Sequence, residues 1–311
     1  MSAVLILRAL GLGDFLTGVP AYRALAAAHP GREIVLAAPG VLAPLVPLTG
    51  ALDRLLPTGE LRPIPWRGPP PRLAVDLHGN GPASHRLIAA TGARGQWMYG
   101  SQAAPDVAGP WWREEEHETA RWCRLLRWHC LPADPSDLLL ERPAVAPPVV
   151  DATVVHPGAA HPSRRWPAGR FAEVAAVLED AGHRVVLTGG ARERLLAERV
   201  AELAALPEQR VLAGRLDLSA LAALVAAARL VVSGDTGVAH LAFAYARPSV
   251  TLYGPVSPRL WGPPEHRRHR VIWHGQGGRP GDARGRRPDA RLLSIGVPEV
   301  VEAALSHAPV R

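Results

Sequence analysis

The chain has 311 residues, of which 48% are hydrophobic and 20% are charged, a composition that excludes disordered and fibrous proteins. All 35 basic residues are arginine, and against 28 acidic residues they give a net charge of +7. Any bound phosphate must therefore be held by guanidinium or backbone N–H groups. The arginines are scattered and no recognised binding module accompanies them, so we do not expect nucleic acid as a partner.

The cysteines and the apolar segments predict where the protein resides. Cys123 and Cys130 lie in one predicted helix, roughly 10 Å apart, which is too far for a disulfide and indicates a reducing compartment. The apolar run 4–7 is too short for a signal peptide, and prolines and glycines interrupt the uncharged stretch 34–52. We therefore expect a cytoplasmic protein, whose basic balance also suits an anionic substrate or peripheral association with a membrane surface.

The first half alternates short apolar runs with glycine turns and alanine-rich helices, the pattern of a parallel sheet. It predicts strands at 4–7, 33–37 and 73–77 and helices at 15–28 and 114–128. Prolines punctuate the segment 131–148, which predicts a linker. We accordingly divide the chain into a first domain, 1–146, and a second domain, 147–311.

The second half repeats this pattern and predicts a second parallel sheet. A loop rich in glycine, arginine and proline is expected at 275–291, and a closing helix at 298–307 could pack back on the first domain. Two such domains would place the carboxyl ends of their strands around a shared cleft. The predicted strands are 153–156, 184–188, 210–212, 230–232 and 249–253, and the predicted helices before the closing one are 169–181, 192–205, 218–228 and 236–245.

Gly11-Leu12-Gly13-Asp14 follows the first strand in a predicted loop, 9–14. Leu16 occupies the third glycine position of a dinucleotide fingerprint, which disfavours an NAD enzyme. Asp14 could be a simple helix cap. It could instead accept a proton from an attacking hydroxyl, as a carboxylate kept ionised at neutral pH by the helix N-terminus.

Two turns of the second half could bind a nucleotide. After the strand 153–156, Arg164 or Arg165 could grip a diphosphate while turn N–H groups bind its other oxygens. The structural alternative is a rigid loop in which Trp166 plugs the core. Leu-Thr-Gly-Gly at 187–190 is followed by Glu193, whose carboxylate could bind ribose hydroxyls.

A third turn, Gly-Asp-Thr-Gly at 234–237, joins a strand to a helix. Asp235 and Thr236 can cap this helix, Gly237 allows close approach of a ligand, and the first-turn N–H groups favour an anion. His240 lies on the same helix face as Thr236, either facing the ligand or buried in the core. Together the three turns predict a nucleotide diphosphate site in the second domain.

Other catalytic chemistry has little support in the sequence. There is no Asp-x-Asp pair, the 13 histidines show no spacing typical of metal ligands, and no Gly-x-Ser-x-Gly elbow occurs. We therefore expect neither a metal nor another cofactor beside the nucleotide diphosphate.

In this order, the motifs resemble those of glycosyltransferase family 9, the heptosyltransferase family, along nearly the whole chain. The resemblance implies an α/β protein of the GT-B fold, with two Rossmann-like domains facing a central cleft. The matching blocks are Leu-x-Leu-Gly-Asp at 10–14, Pro-x-x-Arg-Ala-Leu at 20–25, Asp-Leu-His-Gly-Asn at 76–80, His-Pro-Gly-Ala with Arg-Arg-Trp-Pro at 156–167, Leu-Thr-Gly-Gly at 187–190, Leu-Ala-Gly at 212–214, Gly-Asp-Thr-Gly-x-x-His at 234–240, and Tyr-Gly-Pro with Arg-Leu-Trp-Gly at 253–262.

The resemblance implies inverting, metal-independent transfer of a sugar, typically heptose from ADP-heptose, to a saccharide or glycolipid acceptor of the cell envelope. It assigns Asp14 as general base and places Arg164 where the family has a phosphate-binding lysine. Glu193 would contact the ribose and Leu216 the adenine. The remaining donor-binding residues would be Arg165, Asp235, Thr236, Gly237 and His240.

Several features depart from the family or leave alternatives open. Ala159 and Ala160 stand where lipopolysaccharide heptosyltransferases often carry phosphate-binding hydroxyls, and the family's frequent cysteines at 276–291 are absent. The alternatives are a transferase with another donor and a non-lipopolysaccharide acceptor, or a non-catalytic nucleotide-sugar-binding protein. An epimerase would need a second acid or base besides Asp14.

Overall fold

The computed structural model describes residues 3–275 and 281–307, which form two compact units, Met1–Glu141 and Arg142–Arg311. The division lies five residues before the predicted boundary and within the same proline-rich stretch. None of the helices in the described ranges is long and apolar enough to cross a membrane. Residues 276–280 of the predicted exposed loop lie outside the described residues.

The first domain is a five-stranded parallel sheet in the order β3-β2-β1-β4-β5. Strands β1, β2 and β4 are buried along their whole length, as expected for a parallel sheet covered on both faces. Its elements are β1 Val4–Leu7, α1 Leu12–Thr17, α2 Val19–Ala28, β2 Ile34–Ala38, β3 Arg54–Pro57, β4 Leu73–Asp76, α3 Ala83–Ala89, β5 Gly95–Trp97 and α4 Glu118–Trp128.

The second domain repeats this architecture with the strand order β10-β9-β8-β6-β7. Its elements are β6 Ala152–His156, α5 Ala168–Asp180, β7 Arg184–Leu187, α6 Arg194–Leu203, α7 Leu218–Ala226, β8 Leu230–Gly234, α8 Gly237–Ala244, β9 Ser249–Leu252, α9 Pro258–Trp261, β10 His269–Ile272, α10 Ala290–Leu293 and α11 Val297–Leu305. Helix α11 packs against α5, and its Val300 and Ala304 belong to the core of this domain. That it also reaches the first domain stays a prediction.

Trp166 is buried in the second core, as predicted. Its ring meets Phe171 edge-on with 5.0 Å between centroids, and its indole N–H donates to the Ile295 carbonyl at 3.2 Å. The buried N–H therefore has the partner that a tryptophan in a core requires. This anchoring holds the end of the turn at 157–167 against the body of the domain.

The predicted helix 15–28 is wrong at its start. The helix begins earlier, at Leu12, and breaks at Gly18, which ends α1 and begins α2. Pro20, in the first turn of α2, has no N–H to continue a helical ladder, and the Gly18 backbone lies directly against the Tyr22 ring, where a Cβ would overlap it. As a result, Asp14 lies inside the first turn of α1 and not in a loop.

The sequence patterns did not predict several short elements. Strands β3, β5 and β10 lie at sheet edges and are partly exposed, so they lack the continuous apolar run of a buried strand. No element was predicted where helix α3 lies. The predicted strand at 210–212 is instead a 3₁₀ turn, Glu208–Arg210, followed by an isolated bridge between Leu187 and Val211.

Candidate active site

Asp14 is held at the carboxyl end of β1 by the turn that begins α1. Its side chain is 27% exposed, and its Oδ1 lies 3.7 Å from Nη2 of the fully buried Arg8. Burial raises the pKa of Asp14, whereas Arg8 and hydrogen bonds from the backbone at Gly11 and Asp14 lower it. A partly exposed carboxylate with a raised pKa has the properties of a general base. The N-cap residue is Gly11, so Asp14 contributes to capping only from within the first turn, through its backbone hydrogen bond at Gly11.

Asp76, at the end of the neighbouring strand β4, is a buried carboxyl group that the sequence did not single out as titratable. Its Oδ1 accepts the His78 N–H at 2.8 Å, and its Oδ2 lies 3.8 Å from Nε2 of His85 on α3. Burial raises the pKa of Asp76 to about 6, although Ser84 and backbone N–H groups lower it. Burial also lowers the pKa of His85. Asp76 is thus a second acid–base group in the first domain besides Asp14, and an epimerase would need such a second group.

Replacing Asp76 by asparagine tests this burial through stability. A carboxyl group with a folded pKa above its unfolded value favours folding while protonated, so wild-type stability should fall as pH rises from about 4 to 7. Asparagine does not titrate, so Asp76→Asn lacks this pH-dependent contribution to stability. We expect the stability of Asp76→Asn relative to wild type to increase by roughly 1–2 kcal/mol between these limits, measured by urea unfolding.

Asp134→Asn provides the control for that experiment. The exposed carboxylate of Asp134 accepts two hydrogen bonds from Ser136, which lower the pKa of Asp134. Its stability relative to wild type should change with pH in the opposite direction. A pH-independent difference between Asp76→Asn and wild type would contradict the placement of Asp76.

In the second domain, Arg164 lies in a short 3₁₀ turn after β6. Its Nη1 is 3.4 Å from Oδ2 of Asp235, which follows the adjacent strand β8. Arg165 turns the other way and donates from Nε to the Ala159 carbonyl at 2.9 Å. Arg164 thus pairs with Asp235 on the neighbouring turn, whereas Arg165 stabilises its own turn.

Backbone N–H groups remain available beside this ion pair. Within the described residues, no backbone acceptor is found for the N–H groups of Ala159 and Ala160, nor for those of Thr236, Gly237 and Val238. The last two open α8, where the helix dipole favours an anion. Thr236 is the N-cap residue, but its side chain makes no capping hydrogen bond, contrary to the capping role expected from the sequence. Its hydroxyl therefore does not compete for these N–H groups.

Glu193 lies on the other side of β6, after β7. Its Oε2 accepts the Gly190 N–H at 2.8 Å and lies 4.0 Å from Nε2 of His156. The carboxylate sits against Gly158, where a Cβ would overlap it. His156 is buried and donates to or accepts from Thr188 at 3.0 Å, and burial lowers the pKa of His156. The strand order β8-β6-β7 thus brings the three predicted turns side by side.

Two other predicted residues are more peripheral to this cluster. Leu216 is half-buried in the segment before α7, which is tied to the β7 turn by the bond from Gly214 N–H to the Gly189 carbonyl at 2.9 Å. His240 is buried, and its ring meets Phe243 and Trp261 edge-on at 5.4 and 6.0 Å. Residues 3–275 and 281–307 contain no group of three or more His, Cys, Asp or Glu side chains arranged to hold a metal.

Residues 140–281 match the model of glycosyltransferase family 9 (heptosyltransferase). The second domain is therefore similar to glycosyltransferase family 9 over most of its length. The lipopolysaccharide heptosyltransferase 2 of Escherichia coli is 40% identical over 111 residues, which are 34% of this chain and 31% of that protein. The match to the curated relative thus spans about a third of its length.

Solved structures of family 9 resemble the whole chain. The glycosyltransferase family 9 protein of Veillonella parvula has a TM-score of 0.77 at 20% identity, covering 97% of this chain and 96% of that one. An E. coli heptosyltransferase solved with ADP has a TM-score of 0.73 at 21% identity, covering 98% and 100%. These likenesses show the fold. The predicted α/β class, GT-B with two Rossmann-like parallel-sheet domains, is confirmed.

Proposed function

We propose that this protein is a member of glycosyltransferase family 9, an inverting glycosyltransferase that moves heptose or a related sugar from an ADP-linked donor to a saccharide acceptor in cell-envelope synthesis. The observation that carries the proposal is the arrangement at the ends of β6 and β8. There, Arg164 and two sets of N–H groups without a backbone acceptor offer positive charge to a diphosphate. The segment that holds this arrangement is the one that matches the family model.

The second domain would bind the donor. Arg164 grips the diphosphate, while Asp235 holds the guanidinium and, with Thr236, Gly237 and His240, lines the sugar side. In the neighbouring turns, Glu193 accepts hydrogen bonds from the ribose hydroxyls and Leu216 packs on the adenine, whereas Arg165 acts by shaping the turn. The solved E. coli heptosyltransferase that contains ADP supports adenine as the nucleobase of the donor. Ala159 and Ala160 contribute backbone N–H groups only.

Asp14 would act as the general base of the reaction. Its carboxylate takes the proton of the acceptor hydroxyl as that oxygen bonds to the anomeric carbon. The bond from this carbon to the diphosphate breaks on the opposite face, which inverts the configuration. The electron pair leaves with the nucleoside diphosphate, and Arg164 with the α8 N-terminus stabilises the added charge. Since these groups supply the positive charge, we propose that no metal or other cofactor is required.

The acceptor and the location are part of the same proposal. The relatives that match are named as lipopolysaccharide heptosyltransferases, which supports a saccharide or glycolipid acceptor. A net charge of +7 favours an anionic acceptor or membrane surface, so we place the enzyme in the cytoplasm in peripheral contact with the inner membrane.

Calorimetric titration of ADP, UDP, GDP and NAD, with and without EDTA, tests the donor site. We expect ADP to bind preferentially and EDTA to have no effect. Preference for UDP or GDP would show that the donor carries that nucleotide and not ADP, and EDTA-sensitive binding would overturn metal independence. Incubation of ADP-heptose with saccharide acceptors should then release ADP and give a product of inverted anomeric configuration. Binding without any transfer would favour the non-catalytic sugar-nucleotide-binding alternative.

A further inference from the structure

A buried charge network lies behind Asp14. The Arg8 side chain is completely buried, and its Nη2 donates to Thr17 Oγ1 at 2.9 Å and to Glu118 Oε1 at 3.0 Å. The same guanidinium donates to the main-chain carbonyls of Asp14 and Leu77. Arg8 therefore ties the Asp14 turn to the end of β4 and to helix α4.

Glu118 is fixed as firmly as Arg8. Its side chain is 6% exposed, and its oxygens accept hydrogen bonds from Arg121 and from the Trp122 indole at 2.9 Å. The Trp122 ring also lies 4.8 Å from the Arg8 guanidinium. Arg121 in turn donates to backbone carbonyls of the preceding loop, at 3.0 Å to Arg113 and Glu116 and at 3.2 Å to Glu114.

One guanidinium thus lies between two carboxylates, Glu118 at 3.0 Å and Asp14 at 3.7 Å. Arginine stays charged at any pH at which the protein is folded, so the charge that Asp14 experiences depends on how far Glu118 offsets Arg8. In a buried setting, screening by water is weak and charges at these separations interact strongly. A carboxylate bound to an unopposed guanidinium would be a poor proton acceptor.

We propose that Arg8 and Glu118 are positioning residues for the transfer reaction: Arg8 holds Asp14 in place, and Glu118 offsets the Arg8 charge so that Asp14 remains basic enough to accept the acceptor proton. This inference rests on the proposed function, because it assigns the two residues a task in that reaction. Neither residue was singled out in the sequence, where they lie 110 residues apart.

The groups around Asp14 define the signs of the effects. Burial raises the pKa of Asp14, Arg8 lowers it, and Glu118 raises it. Tyr22 faces Asp14 from α2, but burial raises the pKa of its hydroxyl far above the physiological range, so it stays neutral. Removing the Glu118 charge should therefore lower the pKa of Asp14, and removing the Arg8 charge should raise it.

The test uses Glu118→Gln, Arg8→Gln and Arg8→Lys in the full chain. The Asp14 carboxyl carbon is titrated by NMR after ¹³C labelling, with Asp14→Asn identifying its signal, and kcat/KM is measured against pH. We expect Glu118→Gln to shift the Asp14 titration and the acidic limb of kcat/KM to lower pH by about 1 unit, and Arg8→Gln to shift both upward. Arg8→Lys keeps the charge and should restore the wild-type limb in part.

Trp122→Phe is the matched control, because it removes a hydrogen bond to Glu118 without changing any charge. We expect it to leave the titration of Asp14 in place. Shifts in the same direction for the Glu118 and Arg8 variants, or no shift, would overturn the inference. If Arg8→Gln does not fold, Glu118→Gln decides alone. If no sugar transfer is found at all, the proposed function fails while the NMR titration still tests the charge network.

Discussion

Asp14→Asn should lower kcat for sugar transfer about 10²–10⁴-fold while leaving donor affinity unchanged. Asparagine keeps the shape of the side chain but cannot accept the acceptor proton. The donor residues belong to the second domain, whereas Asp14 belongs to the first, so ADP binding should not report the loss. The measurement pairs steady-state release of ADP with calorimetric binding of ADP to each variant.

Asp180→Asn serves as the control, since it removes one carboxylate from the exposed end of α5 and should behave as wild type in both measurements. If Asp14→Asn retains wild-type kcat, Asp14 is not the base and the catalytic assignment is wrong. Loss of ADP affinity together with kcat would instead indicate that the substitution disturbs the fold.

Arg164→Ala is expected to weaken ADP binding by about 1.5–3 kcal/mol, a factor of roughly 10–150 in Kd. The substitution removes a charge-assisted bond to the diphosphate and also leaves the Asp235 carboxylate next to the ligand's negative charge. Arg164→Lys should recover part of this loss, because an ammonium keeps the charge without the bidentate geometry. Calorimetric titration with ADP gives the affinities directly.

The control for this prediction is Arg184→Ala. Arg184 is an exposed arginine of the same domain and the first residue of β7. It therefore lies at the amino ends of the parallel strands, opposite the carboxyl ends that carry the proposed diphosphate site, and its removal changes net charge equally. Equal effects of the Arg164 and Arg184 substitutions would show that net charge, not a local grip, governs binding. A change below twofold for Arg164→Ala would place the diphosphate elsewhere.

The three turns of the candidate donor site were predictable from sequence because each of them is local. A buried strand, a glycine turn and a helix start are encoded within about ten residues, and parallel strands deliver their carboxyl ends to one edge of the sheet. The sequence therefore predicted which turns would carry Arg164, Glu193 and Asp235. Their adjacency followed from the strand order β8-β6-β7, which local patterns do not encode.

The residue pattern alone left both Arg164 and Arg165 as candidates for gripping a diphosphate, and only the family resemblance favoured Arg164. Both are arginines in one basic loop, and their difference depends on which direction each side chain takes. The structure pairs Arg164 with Asp235 across two strands, whereas Arg165 bonds back to Ala159 in its own turn. The choice therefore depends on a contact between residues 71 positions apart in the chain.

By itself, the amino-acid sequence determined the fold class, the two repeated parallel-sheet units, the family resemblance and the identity of Asp14 as the base candidate, since each follows from short-range pattern. Tertiary structure alone decided the environment of that carboxylate. Arg8 and Glu118 meet only when α4 packs against α2 in the folded domain, and Asp76 becomes a buried acid with a raised pKa only inside the folded sheet. Burial and long-range contact set the pKa of these groups, and neither property is local in the sequence.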